Sequence, residues 1–284
     1  MTDVSDMSDL SEILGERVTD ILSHFEISYL EIAQKCDNGC LHCCLDQKAN
    51  GPEMPFDRIK MIGEKGIPFC ESVSFTLGEP LLYFYKGKTI ADVIEILLGE
   101  RIKKFHIITG GINIQKHQHI KEALSKLKNL QKNNIPIFFN VTFHLFHRTE
   151  EIAVKKFINT INTLLDYSLN GIKIKMPWTP ENKERTKELL DKIMEEHDWD
   201  FCVDDFIVSP IQRAERILSP DYEERYKREI FTPWLKKCTW PSRKELMIRA
   251  DGRILPNGFS EPYCANAEPI GNIFEDSTEE LKQK

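Results

Sequence analysis

The sequence lacks the segments that would carry it into or across a membrane. No apolar run reaches the length that spans a bilayer, and the first twenty-five residues contain no basic region followed by an apolar one. Linkers rich in proline or serine, blocks of like charge and repeats of fixed period are also missing. We therefore expect a cytoplasmic protein with no membrane partner. Its eight cysteines should be thiols or metal ligands in that compartment.

Positive charge is also scarce. The chain has 38 lysines and arginines against 45 aspartates and glutamates, a formal net charge of −7, which argues against a broad nucleic-acid surface. Its 284 residues are 41% hydrophobic and 29% charged, as in globular proteins. A chain of this length and composition can bury a sizeable core.

Three cysteines stand close together in the order C-x3-C-x2-C, namely Cys36, Cys40 and Cys43. Three thiolates on one loop can hold three irons of a cubane cluster, which leaves the fourth iron open to a substrate or cofactor. A structural zinc site is the alternative, with His42 or Cys44 as fourth ligand. However, structural zinc sites usually take their ligands as pairs from two separate segments of the sequence, and this chain has no second C-x2-C or H-x3-H pair. A disulfide is the weakest interpretation, because nothing marks the chain as secreted.

The hydrophobic pattern predicts an amphipathic helix over residues 5–25 and then an alternation of strands and helices. Six strands that alternate with helices imply a parallel sheet with right-handed crossovers, either doubly wound or barrel-like. The glycine-rich dinucleotide fingerprint is absent after the first strand, where the cysteines stand instead. The predicted strands are 27–32, 72–75, 104–108, 135–146, 171–176 and 201–208, and the predicted helices are 55–64, 89–101, 115–131, 150–168 and 180–197.

The cysteine spacing resembles the signature of the radical S-adenosylmethionine (radical SAM) enzymes. His42 matches as well, because that family usually has an aromatic or imidazole side chain there. The resemblance covers roughly residues 26–276. It implies an α/β fold, a partial (βα)6 TIM-like barrel of parallel strands with a small C-terminal β-hairpin/helix extension, and chemistry at the carboxyl ends of the strands. The expected domains are an N-terminal helix at 1–25, the partial barrel at 26–218 and a C-terminal region at 219–284.

The second predicted strand ends in Thr76-Leu77-Gly78-Glu79-Pro80. Family members typically have Gly-Gly-Glu-Pro here, whose backbone and glutamate receive the amino group of SAM. Leu77 replaces the first of these glycines, so only Gly78, Glu79 and Pro80 match. Glycine lets a main chain approach a ligand closely, although Gly-Glu-Pro is also a common turn.

Further SAM contacts are implied at the ends of the next two strands. Thr109 begins a Thr-Gly-Gly stretch similar to the family's Thr-Asn-Gly turn near the methionine part of SAM, although a flexible turn is an equal alternative. Asn140, Thr142 and His144 share one face of the fourth strand by period two, and for Asn140 and Thr142 the resemblance implies contacts to the ribose or carboxylate of SAM. For His144 and His147 a structural role is favoured over general acid–base catalysis.

On the fifth strand, Lys173 and Lys175 share a face. One of these lysines could hold a carboxylate in the barrel mouth, but solvated side chains are the expectation.

The C-terminal region is similar to the SPASM or twitch tails of some radical SAM proteins. Two apolar-rich segments within 246–256 flank an Asp-Gly turn and predict a β-hairpin, with a short helix beginning near residue 276. Those tails place a cysteine directly after the hairpin's proline, where this chain has Asn257. We therefore expect a degenerate region with no auxiliary iron–sulfur cluster. The alternative is an unusual cluster held by Cys238, Cys264 and a third group.

The family resemblance implies a [4Fe–4S] cluster on Cys36, Cys40 and Cys43, with SAM on its open iron. An external one-electron reductant of the flavodoxin or ferredoxin type would drive SAM cleavage, and the 5′-deoxyadenosyl radical would take hydrogen from a small-molecule or peptide substrate. Oxidation, epimerisation, rearrangement and cyclisation all stay open. A peptide-modifying maturase with an auxiliary cluster, an iron–sulfur electron carrier and a zinc-binding structural protein are the alternatives.

Overall fold

The computed structural model describes most of the predicted barrel and parts of the C-terminal region. The predicted helix over 5–25 lies outside the described residues, as do His42 and Cys43. The structure describes residues 27–40, 49–64, 71–99, 102, 104–111, 117–147, 149–179, 182–207, 245–256 and 271–277.

Strands and helices alternate along the chain as predicted. The strands are β1 (Ile27–Leu30), β2 (Ser72–Phe75), β3 (Phe84–Tyr85), β4 (Lys88–Thr89), β5 (Lys104–Thr109), β6 (Ile137–Thr142), β7 (Ile172–Trp178), β8 (Val203–Ile207), β9 (Glu245–Ile248), β10 (Arg253–Pro256) and β11 (Gly271–Asn272). The α-helices are α1 (Phe56–Glu64), α2 (Ile90–Leu97), α3 (Gln118–Lys132), α4 (Glu150–Asp166) and α5 (Lys183–Glu196), and a 3-10 turn covers Pro80–Leu82.

Among the differences from the predicted elements, two have a local structural cause. The fourth predicted strand ends at Thr142 rather than at residue 146, because the chain then turns and the Phe146 N–H bonds to the ring of His144. The prediction also missed the β3–β4 hairpin. Its turn residues Lys86 and Gly87 both have positive φ, 48° and 80°, which is the conformation that tight two-residue hairpins require.

The strand order distinguishes a barrel-type winding from a doubly wound sheet. Strands β1, β2, β5, β6, β7 and β8 lie side by side in chain order and pair in parallel. In a doubly wound sheet, the strand order would start in the middle of the sheet, and later strands would lie on the other side of the first strand. Within the described residues the outer strands β8 and β11 do not pair, so the sheet is an open partial barrel and the predicted fold class is confirmed.

The two faces of the sheet differ in chemistry. Leu30, Phe75, Ile107 and Phe139 are aligned by the strand register and are fully buried against the helices. Side chains alternate along a strand, so the neighbouring residues face the other way, into the concave side. That concave face carries most of the polar groups, and it leads up to the carboxyl ends of the strands.

The predicted C-terminal hairpin is present as β9 and β10, and it extends the main sheet. Strand β9 pairs in parallel with β1, and an ion pair beside this junction joins Arg249 Nε to the Glu31 carboxylate at 2.9 Å. Glu31 is fully buried and also accepts the Ala250 N–H. Residues 273–275 form a turn, and Asp276 accepts the Asn272 N–H beside it. The short helix expected to begin near residue 276 would extend into residues 278–284, which lie outside the described residues.

None of the helices in the described part of the chain combines the length and the apolar character that a membrane span requires.

Candidate active site

The cysteine loop leaves the carboxyl end of β1. The Cys36 and Cys40 side chains are half-buried, and Cys43 lies outside the described residues. The start of the loop is held by backbone hydrogen bonds from Gln34 to Pro52 and from Met54 to Ile32. The backbone therefore positions the first thiol next to the end of the strand.

The turn after β2 packs directly against this loop. The Glu79 N–H donates to the Lys35 carbonyl at 2.9 Å. A Cβ atom on Gly78 would lie 2.0 Å from the Ala33 carbonyl oxygen, so only glycine permits this approach. The predicted SAM-binding turn and the cysteine loop are thus adjacent, and Gly78 is required for their contact.

The Glu79 carboxylate is a buried hub for hydrogen bonds. One oxygen accepts from the Thr109 hydroxyl at 2.8 Å, from the Gly110 N–H at 3.1 Å and from the Asn38 amide at 3.4 Å. The other accepts from the Leu81 N–H at 3.3 Å. A single side chain therefore ties together the cysteine loop, its own turn and the end of β5.

Burial raises the pKa of Glu79 to about 7, because desolvation disfavours the carboxylate. The hydrogen bonds from Thr109, Leu81 and Gly110 act in the opposite direction, but burial dominates. The nearby Asp37 adds a smaller increase in the pKa.

Leu77, where the family typically has glycine, adopts the backbone conformation that glycine favours. Its φ is +64° and only 8% of the residue is exposed. An L-residue in this left-handed region costs about 1–2 kcal/mol, so the position keeps a backbone geometry suited to glycine. Leucine therefore stands at a position whose backbone conformation glycine would adopt without strain.

We expect Leu77→Gly to be more stable than Leu77→Ala by about 1 kcal/mol, because both variants lose the buried leucine side chain and only glycine relieves the strain. At positions with a negative φ, the alanine variant would be the more stable of the two. Urea unfolding of the two variants side by side measures the difference. An alanine variant more stable than the glycine variant would contradict the strain.

Thr109 ends β5 and is fully buried, with its hydroxyl donated to Glu79. In the described structure, Thr109 is therefore one of the four hydrogen-bond donors to the Glu79 carboxylate. The adjoining Gly110 passes so close to Asn38 that an added Cβ would lie 2.9 Å from the amide nitrogen. The Thr-Gly-Gly stretch brings β5 into contact with the cysteine loop.

Asn140 and Thr142 lie on the concave face, as the period-two pattern predicts. Asn140 is 7% exposed and stands between Ile108 and Lys173 in register, while Thr142 is half-buried beside Lys175. Their contact with SAM stays a prediction.

The two lysines of β7 differ in their surroundings. The Lys175 ammonium pairs with Asp204, whereas Lys173 is exposed and its ammonium lies 5.8 Å from the Phe138 ring centroid.

The loop after β6 brings two imidazoles to the second cysteine. His144 Nε2 lies 3.5 Å from Cys40 Sγ, and the His144 and His147 rings stack with centroids 4.6 Å apart. The ligand atoms of all three residues lie within 4.8 Å of one another. Burial, followed by the charge of Lys156, lowers the pKa of His147 to about 4, so this ring is neutral at physiological pH.

Sequence reasoning missed two residues that join the loop to the barrel. The Lys156 ammonium donates to the Asn38 carbonyl at 3.1 Å and to its side-chain oxygen at 3.2 Å. Nothing in the helical pattern of α4 distinguishes Lys156 from other surface lysines. Asn38 lies between the first two cysteines of the motif, which was the one available signal for its role.

The chemistry of the donors fits an iron–sulfur cluster. Soft thiolates on one loop suit iron, and the loop is braced by Glu79, Asn38 and Lys156. Cys36, Cys40 and Cys43 would hold such a group. Cys44, Cys70, Cys238 and Cys264 lie outside the described residues.

Comparison with solved structures finds similar folds at low sequence identity. SuiB of Streptococcus suis bound to precursor peptide SuiA has 11% identity and a TM-score of 0.46, covering 100% of this chain and 71% of SuiB. SuiB bound to S-adenosylmethionine has 13% identity and a TM-score of 0.43, covering 94% and 67%. BtrN in an open conformation has 16% identity and a TM-score of 0.41, covering 92% and 80%. At these TM-scores and identities, the comparison gives no information on the activity, substrate or partners of this chain. A search of curated proteins found no match.

A family model for the radical SAM superfamily matches residues 30–193, which is more than half of the chain. The matched segment includes the cysteine motif, the Gly-Glu-Pro turn and strands β2 and β5–β7. It ends before the C-terminal hairpin, so the SPASM- or twitch-like character of that region stays a prediction. The family implies an enzyme with a [4Fe–4S] cluster and SAM. With three closely spaced cysteines at the end of β1 and a Gly-Glu turn packed against their loop, the chain belongs to the radical SAM superfamily.

Proposed function

We propose that the protein reductively cleaves SAM at a [4Fe–4S] cluster and abstracts hydrogen from a small-molecule or peptide substrate. When bound, cluster and SAM supply the electron transfer and the 5′-deoxyadenosyl radical, which is chemistry that side chains alone cannot perform. The chain's own residues bind, orient and enclose these groups. The electron comes from an external reductant of the flavodoxin or ferredoxin type.

The observation that carries the proposal is the contact between the cysteine loop and the Gly78-Glu79 turn. The Glu79 N–H bonds to Lys35, and the Asn38 amide bonds to the Glu79 carboxylate. A ligand on the open iron would therefore meet the main chain of this turn directly. Because the carboxylate already accepts four protein donors, we assign the SAM amino group to the backbone of the turn rather than to the Glu79 side chain.

The concave face supports placing the remaining SAM contacts and the substrate there. Asn140 and Thr142 line this face near the carboxyl end of β6, and we propose that they bind the ribose or carboxylate of SAM. Deeper on the same face, His106 stacks on Phe138 with ring centroids 5.1 Å apart. Burial, followed by the charges of Lys104, Lys173 and Lys175, lowers the pKa of His106 to about 4.

This cationic surrounding favours a substrate that carries a carboxylate or another anionic group, with Lys173 as its contact. Both a small organic acid and a short peptide have such a group.

The test is anaerobic reconstitution with iron and sulfide, reduction, addition of SAM and detection of 5′-deoxyadenosine by mass spectrometry. The control is the variant with Cys36, Cys40 and Cys43 all changed to alanine. Cluster-dependent 5′-deoxyadenosine is the expected product. A protein that binds SAM without cleaving it should be retested with organic acids and peptides, because substrate binding can assemble a catalytic site.

A second candidate is a mononuclear zinc site, which is favoured by the closeness of Cys40, His144 and His147. It predicts a colourless protein with stoichiometric zinc after purification in metal-depleted buffers. That result, together with failure to take up iron, would overturn the radical SAM proposal.

A further inference from the structure

The loop that follows β6 places a buried imidazole against one of the proposed cluster ligands. His144 is only 3% exposed, and its Nε2 atom lies 3.5 Å from Cys40 Sγ. This distance is within the usual range for a hydrogen bond to sulfur. The direction of that bond decides what the imidazole can do, because a donor and an acceptor have opposite effects on a thiolate.

The backbone settles the direction. The Phe146 N–H donates to His144 Nδ1 at 3.3 Å, so Nδ1 is an acceptor and carries no proton. A neutral imidazole has one protonated nitrogen, which must then be Nε2. The ring therefore presents an N–H, rather than a lone pair, to the Cys40 sulfur.

Packing keeps the ring in this orientation. His144 stacks on His147 with an interplanar angle of 22° and lies beside the Phe146 ring, whose centroid is 5.6 Å away. Phe146 itself is 1% exposed. A short loop with a buried aromatic anchor thus fixes both the tautomer and the position of the imidazole.

We propose that His144 is a positioning residue that donates an Nε2–H hydrogen bond to the Cys40 thiolate and raises the reduction potential of the cluster. The inference rests on the proposed function, since it assigns Cys40 to the cluster. A hydrogen bond to a ligating sulfur stabilises the extra negative charge of the reduced state. Without the bond, the external reductant would reduce a smaller fraction of the protein.

The experiment compares wild-type protein with His144→Phe and His147→Phe after reconstitution, with the midpoint potential read by EPR-monitored titration in the absence of SAM. His144→Phe keeps an aromatic ring in the stack and removes the donor. At a reductant potential near the wild-type midpoint, its ratio of reduced to oxidised cluster should fall about tenfold, a shift of about 59 mV for a one-electron couple. His147→Phe leaves the Cys40–His144 contact in place and should change the ratio less than twofold. His144→Gln, whose amide can donate to sulfur, should lie between His144→Phe and wild type.

An unchanged potential in His144→Phe, or an equal shift in His147→Phe, would overturn the inference while leaving the proposed function intact. Wild-type protein that takes up zinc and no iron would overturn both. If His144→Phe fails to load iron, pulsed EPR on 15N-histidine-labelled protein carrying His42→Ala and His147→Phe decides the matter. A 15N coupling to the reduced cluster is then expected, and its absence overturns the inference.

Discussion

Replacing Cys40 alone by alanine is expected to prevent assembly of the cluster and to abolish SAM cleavage. Three thiolates hold three of the four irons, and loss of one leaves a second iron without a protein ligand. The fold should survive, because Cys40 is half-buried in a loop and contributes little to the apolar core. Iron content should fall from about four per chain to well below one, with 5′-deoxyadenosine at background.

Cys202→Ala is the matched control, since Cys202 is an exposed free thiol outside the motif. It should retain the iron content and the charge-transfer absorbance of wild type. Iron and sulfide assays, visible spectra and circular dichroism on the two variants complete the measurement. Full iron occupancy in Cys40→Ala would refute the ligand assignment, whereas equal loss in both variants would point to general thiol damage during reconstitution.

Replacing Glu79 by glutamine is expected to lower the free energy of unfolding by about 3 kcal/mol at pH 6, because a buried donor left without an acceptor costs about 1–3 kcal/mol. Both Glu79 oxygens accept hydrogen bonds, from four donors in all. With a pKa of about 7 the group is mainly the neutral acid at pH 6, and its hydroxyl oxygen can still accept. Glutamine supplies one oxygen and places an amide N–H₂ against some of the same donors. Thr109→Val, which removes one of the four bonds, should cost about 1 kcal/mol.

The raised pKa of Glu79 predicts that the free energy of unfolding depends on pH. The folded-state pKa of Glu79 is about 7 against an ordinary value of 4.5, so the folded protein binds this proton more tightly than the unfolded chain. The stabilisation is complete below pH 4.5 and is lost as the pH rises through 7. The difference of 2.5 pKa units corresponds to at most about 3 kcal/mol.

Urea unfolding of wild type and Glu79→Gln between pH 5 and 8 measures this dependence. Other titrating groups contribute equally to both proteins, so the difference between the two profiles isolates Glu79. The wild-type advantage should shrink steadily as the pH rises. Parallel profiles would show that Glu79 is already ionised at pH 5, which would mean that its four hydrogen bonds outweigh its burial.

Local patterns were sufficient to predict most of the secondary structure. Strand β2 and helix α1 follow from runs whose apolar period is unambiguous, and both begin and end within one residue of the prediction. The hairpin β3–β4 was missed because its strands have two residues each, too short for any period. Strand β6 was predicted too long because Phe143 and Phe146 are as apolar as strand residues, yet they anchor a loop.

In the candidate site, the C-x3-C-x2-C spacing and the Gly78-Glu79 turn could be recognised from the sequence, because the residues of each motif are neighbours in the chain. Their chemistry depends on a few consecutive side chains on one turn. The sequence by itself therefore determined the ligand type, the alternation of strands and helices, and the family.

Only the tertiary structure decided how Glu79, Asn38, Thr109 and His144 meet. The hydrogen bond between Asn38 and Glu79 spans 41 residues, and that between Cys40 and His144 spans 104. Such contacts arise because parallel strands bring their carboxyl ends to one edge of the sheet. No local pattern encodes that meeting, since strand order and register determine which distant side chains become neighbours.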